Sequence, residues 1–295
     1  MLIAQVTDIH LGFEPGNPAE FNRKRLDQVV RLLSNMTPRP DVLLATGDLV
    51  DRGDDDSYRR LKNAFESCPF PVLFCLGNHD ERKNFYANFP DLPQVDGFLQ
   101  YEAEFGPLRF LVIDTLEEGR HGGAFCETRA RWLRDRLAEK PDQPTLIVMH
   151  HPPVEVGIDW MNTHPDEPWV ARFADAIEGQ RQIVGVICGH LHRPITAGWR
   201  GTTISICAST APQVALDLAP IDPDKPDGRA MIIADPPAFA LHRWDGRALV
   251  SHHDNADDHV VLARFDKKMQ GLVKTLMSER PGAEPEAVPP AKLRA

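Results

Sequence analysis

No segment of the 295-residue chain approaches 18 consecutive apolar residues, which disfavours a membrane-spanning helix. The opening Leu2-Ile3-Ala4-Gln5-Val6 carries no basic leader and no long apolar stretch, so secretion is not expected and the chain reads as cytoplasmic. Basic residues are in deficit. Thirty-three Lys and Arg face 43 Asp and Glu, a formal net charge of −10, and no basic stripe stands out. A surface of that sign repels polyphosphate, so duplex nucleic acid is not an expected partner. Cysteine is sparse and odd in number. Cys68, Cys75, Cys126, Cys188 and Cys207 form no C-x-x-C pair, and most flank apolar runs such as Val186-Ile187-Cys188. They read as small core residues of a reducing compartment; disulfides and a thiolate zinc site are not expected. No internal repeat is visible.

What is present describes a globular protein. Hydrophobic residues make up 42% and charged residues 26% of the chain, a balance that excludes global disorder. Twenty-six prolines are nearly twice the usual share of about 5% and predict many stiff loops, where functional sites tend to be built. Near-continuous apolar runs at residues 2–6, 42–45, 71–76, 110–113, 145–149 and 183–188 suit strands buried on both faces. Helical spacing marks residues 21–33, through Leu26, Val29, Val30 and Leu33, and residues 128–137, through Trp132, Leu133 and Leu137. The alternation argues a layered α/β fold with some antiparallel pairing, including a hairpin at Gly106-Pro107. Later segments at 194–199, 203–207, 230–234 and 238–243 look β-like. We expect residues 1–256 to form one catalytic domain. Val261, Phe265, Met269, Leu272, Val273, Leu276 and Met277 predict an amphipathic helix over 258–279, for packing or subunit contact, followed by a flexible tail at 281–295.

The informative residues come directly after five of these buried runs. Asp8-Ile9-His10 succeeds the first, Gly47-Asp48 the second and Gly77-Asn78-His79-Asp80 the third. His150-His151-Pro152-Pro153 succeeds residues 145–149, and Gly189-His190-Leu191-His192 succeeds 183–188. The carboxyl edge of an open α/β sheet is where ligands bind, and so many imidazoles and carboxylates in register call for an ion among them. Residues two apart on an extended segment face the same side, so Asp8 with His10, and His190 with His192, can aim at one centre. Glycines at 47, 77 and 189 let the chain turn sharply before each polar residue.

These five blocks, in this order, resemble those of the calcineurin-like metallophosphoesterases: D-x-H, G-D, G-N-H-[DE], H and G-H-x-H. The resemblance implies a four-layer α/β/β/α sandwich of two mixed sheets flanked by helices. It implies two divalent or mixed-valence metal ions, one held by Asp8, His10, Asp48 and His192, the other by Asp48, Asn78, His150 and His190, with Asp48 bridging. It makes His79 the unligated histidine that touches the phosphate, and it implies a homo-oligomer. His151 has no such role and reads as a loop or supporting residue. Softer matches, His150-His151-Pro152-Pro153 onward through Trp160-Met161, then Ala208–Gln213 and Leu241-His242-Arg243-Trp244, are similar to bacterial class III cyclic-nucleotide phosphodiesterases and glycerophosphodiesterases. They imply a small phosphodiester as substrate.

The chemistry agrees with the residue types. Phosphodiesters resist water, and two cations about 3.5–4 Å apart supply a hydroxide nucleophile and grip the oxygens of the transferring group. A nitrogen and oxygen ligand set suits Fe, Mn, Co or Zn. His79 is placed to bond a phosphoryl oxygen or protonate the leaving alkoxide, while Asp80 either orients His79 or caps the next helix. Trp160, Met161, Asn162, His164, Arg193 and Gln213 are the candidates for substrate selection; His164, His252 and His253 otherwise read as surface residues. The same fold also supports phosphomonoesterases and nucleases, and a scaffold without metal chemistry; the complete set of blocks argues against the scaffold.

Overall fold

The computed structural model describes residues 1–280. Met1–Ala256 forms one compact unit, and the described residues from Asp257 onward belong to a second. In the first, β1 (Leu2–Val6), α1 (Phe21–Asn35), β2 (Val42–Thr46), α2 (Asp55–Phe65), β3 (Val72–Cys75) and α3 (Arg82–Asn88) alternate. The hairpin β4 (Tyr101–Phe105) and β5 (Leu108–Val112) comes next, then α4 (Glu127–Glu139), β6 (Thr145–Val148), α5 (Pro168–Ile177) and β7 (Ile183–Cys188). This first unit ends in β-structure: β8 (Ile195–Trp199), β9 (Thr202–Ile206), β10 (Gln213–Val214), β11 (Ile232–Ile233), β12 (Ala238–Trp244) and β13 (Leu249–Asn255).

Two mixed sheets result, ordered β13-β12-β1-β2-β3 and β4-β5-β6-β7-β9-β8. Within them β1, β2 and β3 run parallel, as do β5, β6, β7 and β9. Side-chain alternation shows the layering. Leu108, Phe110, Val112, Leu146, Val148 and Ile187 pack in the core that holds the first sheet. Their neighbours Leu111, Ile113, Ile147, Met149, Val186 and Cys188 pack in a second core with α4 and α5. Successive residues of a strand point to opposite faces, so the second sheet is sandwiched between the first sheet and two helices. Leu26, Val29, Val30 and Leu33 of α1 and Tyr58, Leu61 and Phe65 of α2 join the first core. This is the expected four-layer arrangement. The five cysteines are free, three of them buried, and among the described residues no helix is long and apolar enough to cross a membrane.

Several expectations need correction. The predicted strand at 230–234 shrinks to the two residues of β11, paired only with β10. The predicted helix over 258–279 is confined to α6 (Gln270–Ser278), while Val260, Val261, Leu262 and Phe265 lie exposed in irregular chain before it. An apolar stripe without a surface to bury it does not offset the cost of helix nucleation, and α6 has no side-chain cap. The predicted tail at 281–295 lies outside the described residues. Helices α2 and α5 went unread, although Asp54 caps α2 by accepting the Ser57 amide and Pro168 begins α5.

Candidate metal centre

Each of the five blocks sits immediately beyond the carboxyl end of a parallel strand: β1, β2 and β3 in one sheet, β6 and β7 in the other. Facing sheets therefore bring together residues up to 184 positions apart in sequence (8 to 192). The loops are tied directly to one another. The Asp8 and Ile9 amides donate to the carbonyls of Gly47 and Asp48. The Asp8 carboxylate accepts the His190 amide at 3.0–3.1 Å, and Asp48 Oδ1 accepts the His79 amide at 2.8 Å.

Backbone strain is concentrated here. Among the described residues seven non-glycine residues have positive φ, and five are Asp8 (49°), His10 (49°), Asp48 (46°), His190 (74°) and His192 (52°). Left-handed backbone costs a residue with a Cβ about 1–3 kcal/mol and persists where its surroundings over-determine it. Glycine serves a different need at Gly77, whose φ is ordinary. A Cβ there would lie 2.2 Å from Asp48 Oδ1 and 2.7 Å from His150 Nε2, so its absence makes room for the donors.

The donors form two groups that share Asp48. In the first, His10 Nε2 lies 3.7 Å from Asp48 Oδ2 and 3.3 Å from His192 Nε2, which is itself 3.4 Å from Asp8 Oδ1. Asp8, His10, Asp48 and His192 all present ligand atoms within 4.8 Å of one another. In the second, His150 Nε2 lies 3.5 Å from Asp48 Oδ2 and 3.2 Å from Asn78 Oδ1, which is 3.0 Å from His190 Nδ1. Donors bonded to one cation at about 2.0–2.2 Å stand about 3–3.5 Å apart, so both groups have the spacing of a coordination shell. Asp8, His10, Asp48, His150 and His190 are buried, whereas His79 is 39% exposed at the rim.

Tautomers fit a metal as well. His150 Nδ1 donates to the Thr46 carbonyl and His192 Nδ1 to that of Pro212, both at 2.8 Å. In the neutral ring each Nε2 is left with a lone pair facing the centre, the arrangement that orients metal-binding imidazoles. His10 Nδ1 faces Asp51 Oδ1 at 3.3 Å. Burial alone would raise the Asp48 carboxyl, but His150, His10 and His79 overcome it and hold the group well below the usual carboxylate range. Burial and the neighbouring imidazoles of His151 and His150 push His190 far down, so it stays neutral and free to ligate.

His151 takes the supporting role expected of it, whereas Asp80 differs from expectation. His151 stands within ligand distance of His150 and His190, yet its Nδ1 is held by the Thr115 hydroxyl at 2.9 Å and its Nε2 by the His121 carbonyl at 3.2 Å. It is a buried strut with no nitrogen left for an ion. Asp80 neither orients His79 nor caps α3. Its carboxylate accepts the amides of Leu49, Val50 and Gly77 and the Tyr58 hydroxyl, pinning the Asp48 loop to the Asn78 loop.

The other candidates are dispersed. Met161 is buried in the second core with Trp160 half-buried against it, and Asn162 Oδ1 accepts the Val156 and Gly157 amides within its own loop. Arg193 and Gln213 donate to the carbonyls of Val214 and Pro236, and both line a cavity of about 280 Å³ whose walls include none of the seven donors. His164 and His252 are exposed, while His253 is half-buried. Asp51 and His121, which sequence reasoning passed over, stand at the centre. Asp51 lies three residues beyond Asp48, a signal within reach; His121 lies in a long loop with no motif.

Two buried donor groups joined on one aspartate, at the carboxyl edges of two facing sheets, define a metallohydrolase. The chain belongs to the calcineurin-like phosphoesterase family, whose profile matches residues 1–194, a family that implies divalent metal ions. It is 30% identical over 85% of its length to a protein of Arcobacter nitrofigilis named as a probable glycerophosphodiester phosphodiesterase, covering 92% of that protein. It is 33% identical over 83% of its length to a protein of Rhodopseudomonas palustris named as a probable cyclic nucleotide phosphodiesterase, again covering 92%. The fold is shared with the purple acid phosphatase of yellow lupin (Lupinus luteus) seeds, with a TM-score of 0.60 at 14% identity over 88% of this chain and 52% of that one.

Proposed function

We propose that this chain is a metal-dependent phosphodiesterase for small esters, cyclic nucleotides and glycerophosphodiesters among them, using two divalent ions. The observation that carries the reading is the pair of donor groups meeting on Asp48. Two such ions supply an activated water and neutralise charge on the transferring phosphoryl group. Nitrogen and oxygen donors without thiolate suit Fe, Mn, Co or Zn. Asp8, Asp48 and Asp51 carry three negative charges against the four positive charges of two divalent ions, so before a hydroxide forms the pocket would keep about one positive charge, which draws an anionic ester despite the acidic surface.

His79 is the residue that handles the leaving group. Its Nδ1 donates to the Asp51 carbonyl at 2.8 Å and its ring packs edge-on against His10 at 4.5 Å, which orients Nε2 as the proton-exchanging atom. Asp48 fixes the His79 backbone, so the ion-binding and proton-transfer groups move as one. The reaction is in-line attack on phosphorus without a covalent enzyme intermediate. Ester selectivity is assigned to surfaces beyond the donors. Protein loaded with Mn²⁺ should hydrolyse bis(p-nitrophenyl) phosphate faster than p-nitrophenyl phosphate; the reverse preference would favour a monoesterase. The net charge of −10 disfavours a nuclease. A cytoplasmic location and a homo-oligomer complete the reading, the latter supported by the exposed Val260, Leu262, Phe265, Leu276 and Met277. Light scattering on the full chain and on one ending at Ala256 tests it: a smaller assembly is expected for the shorter chain.

A further inference from the structure

His121 belongs to none of the five blocks, yet it stands over the second donor group. Its ring centroid lies 4.7 Å from that of His190, much as His79 lies 4.5 Å from His10 across the centre. Two imidazoles thus flank the pocket, each against a donor of a different group. The position is built. The Ala124 amide donates to the Thr115 carbonyl at 2.9 Å, closing the base of the loop, and the His121 carbonyl is held by the buried His151. At Gly123 a Cβ would come within 2.9 Å of the His151 side chain, so the loop is seated against this strut.

Donor and acceptor logic fixes the tautomer. Asn78 Oδ1 faces His150 Nε2 and His190 Nδ1, which turns the amide nitrogen Nδ2 toward His121 Nδ1 at 3.4 Å. An amide nitrogen only donates, so Nδ1 accepts, and the neutral ring carries its proton on Nε2. No hydrogen bond among the described residues engages that Nε2, and the side chain is exposed. His79 is the mirror case: with Nδ1 donating to a carbonyl, its neutral ring presents a lone pair. The pocket therefore has a neutral N–H donor on the side of the second group.

We propose that His121 is a substrate-binding residue that holds Asn78 in its ligating orientation through Nδ1 and donates Nε2–H to a non-bridging phosphoryl oxygen of the diester. This rests on the phosphodiesterase reading above. The two atoms can be tested apart. His121→Ala removes both. His121→Asn keeps an acceptor near the place of Nδ1, and His121→Gln keeps a donor near the place of Nε2. In full-length protein, Mn²⁺ titration by calorimetry reports the second equivalent, and inorganic phosphate inhibition with the KM for bis(p-nitrophenyl) phosphate reports the donor. Loss of one hydrogen bond to a charged oxygen predicts that Ala weakens phosphate inhibition and raises KM by about tenfold, with kcat less affected and the second Mn²⁺ bound several-fold more weakly. Asn should recover the Mn²⁺ affinity alone, and Gln the phosphate affinity. An Ala variant within twofold of wild type in phosphate inhibition and KM overturns the proposal, as does a Gln variant no better than Ala. Wild type that loads two Mn²⁺ and binds phosphate without cleaving diesters refutes the phosphodiesterase reading instead, and phosphate affinity then still decides His121.

Discussion

The Nε2 atoms of His10 and His192 face each other at 3.3 Å. The Nδ1 of His192 is committed to the Pro212 carbonyl, and that of His10 faces Asp51. In the neutral rings both facing nitrogens are therefore left as acceptors, and two acceptors at this distance do not bond. A bound cation would convert the repulsion into ligation, with His10 and His192 among the residues to hold it.

Metal removal should accordingly destabilise the fold. At a free ion concentration a hundred times Kd, loading adds about 2.7 kcal/mol, so chelation should lower Tm by several degrees in calorimetry. Uptake should also release protons. Burial disfavours a charged His150, but Asp48 and Asp8 outweigh it and push the imidazole up to about 9. Below that pH a proton occupies the metal-free imidazole and competes with the ion, so apparent Mn²⁺ affinity should rise from pH 6 toward 9. A pH-independent affinity would contradict this.

Asp48→Asn preserves shape and removes the shared charge. The bound ions should fall from two toward one by elemental analysis, and diester turnover should drop by at least about a hundredfold. Full loading with unchanged turnover would refute the shared-ligand role.

Gly77→Ala should be destabilising for a steric reason. Its Cβ would meet the Asp48 backbone nitrogen at 2.4 Å as well as the carboxylate, neither of which can retreat without moving the centre. A loss of about 1–3 kcal/mol is expected, together with weaker ion binding. Gly198→Ala is the control, because nothing lies within 4 Å of its Cβ position; chemical denaturation of the two variants should differ accordingly.

His242 shapes the acid limb of stability. The imidazole is buried between Gln5 Oε1 at 3.0 Å and Ser251 Oγ at 2.7 Å, and burial, then His253 and His252, push it down to about 3. The unfolded chain takes up this proton near pH 6.5 and the folded chain does not, so stability is lost as pH falls from about 6.5 toward 3, at up to about 1.4 kcal/mol per pH unit. His242→Gln cannot titrate. Its deficit relative to wild type should shrink by roughly 2 kcal/mol between pH 6.5 and 5 in urea unfolding; a constant deficit would show that His242 does not titrate as argued.

The parts of the fold legible in the sequence were those with a local signature. Residues 2–6 and 183–188 coincide with β1 and β7 because near-continuous apolar runs of that length suit few other places. The edge strand β13, Leu249–Asn255, was missed because five of its seven residues are polar, so its regular alternation of half-buried and exposed positions leaves no apolar pattern. The helix over 258–279 failed for the opposite reason: its periodicity was plain, but periodicity states which face would be buried and not whether anything buries it. At the centre, the seven donors were legible because each follows a strand by a few residues. The carbonyls of Thr46 and Pro212 were not, since a backbone group has no sequence signature, and neither was the solitary His121.

By itself the sequence determined which side chains end which strands, and so the kinds of donor available: two aspartates, an asparagine and four histidines. Tertiary structure decided which of them meet, which ring nitrogen each imidazole turns inward, and that His151 supports the centre while Asp80 fastens two loops together. The reason is physical. Strand formation follows local pattern, whereas tautomer, approach and pairing depend on groups brought together from the ends of separate strands across the two facing sheets.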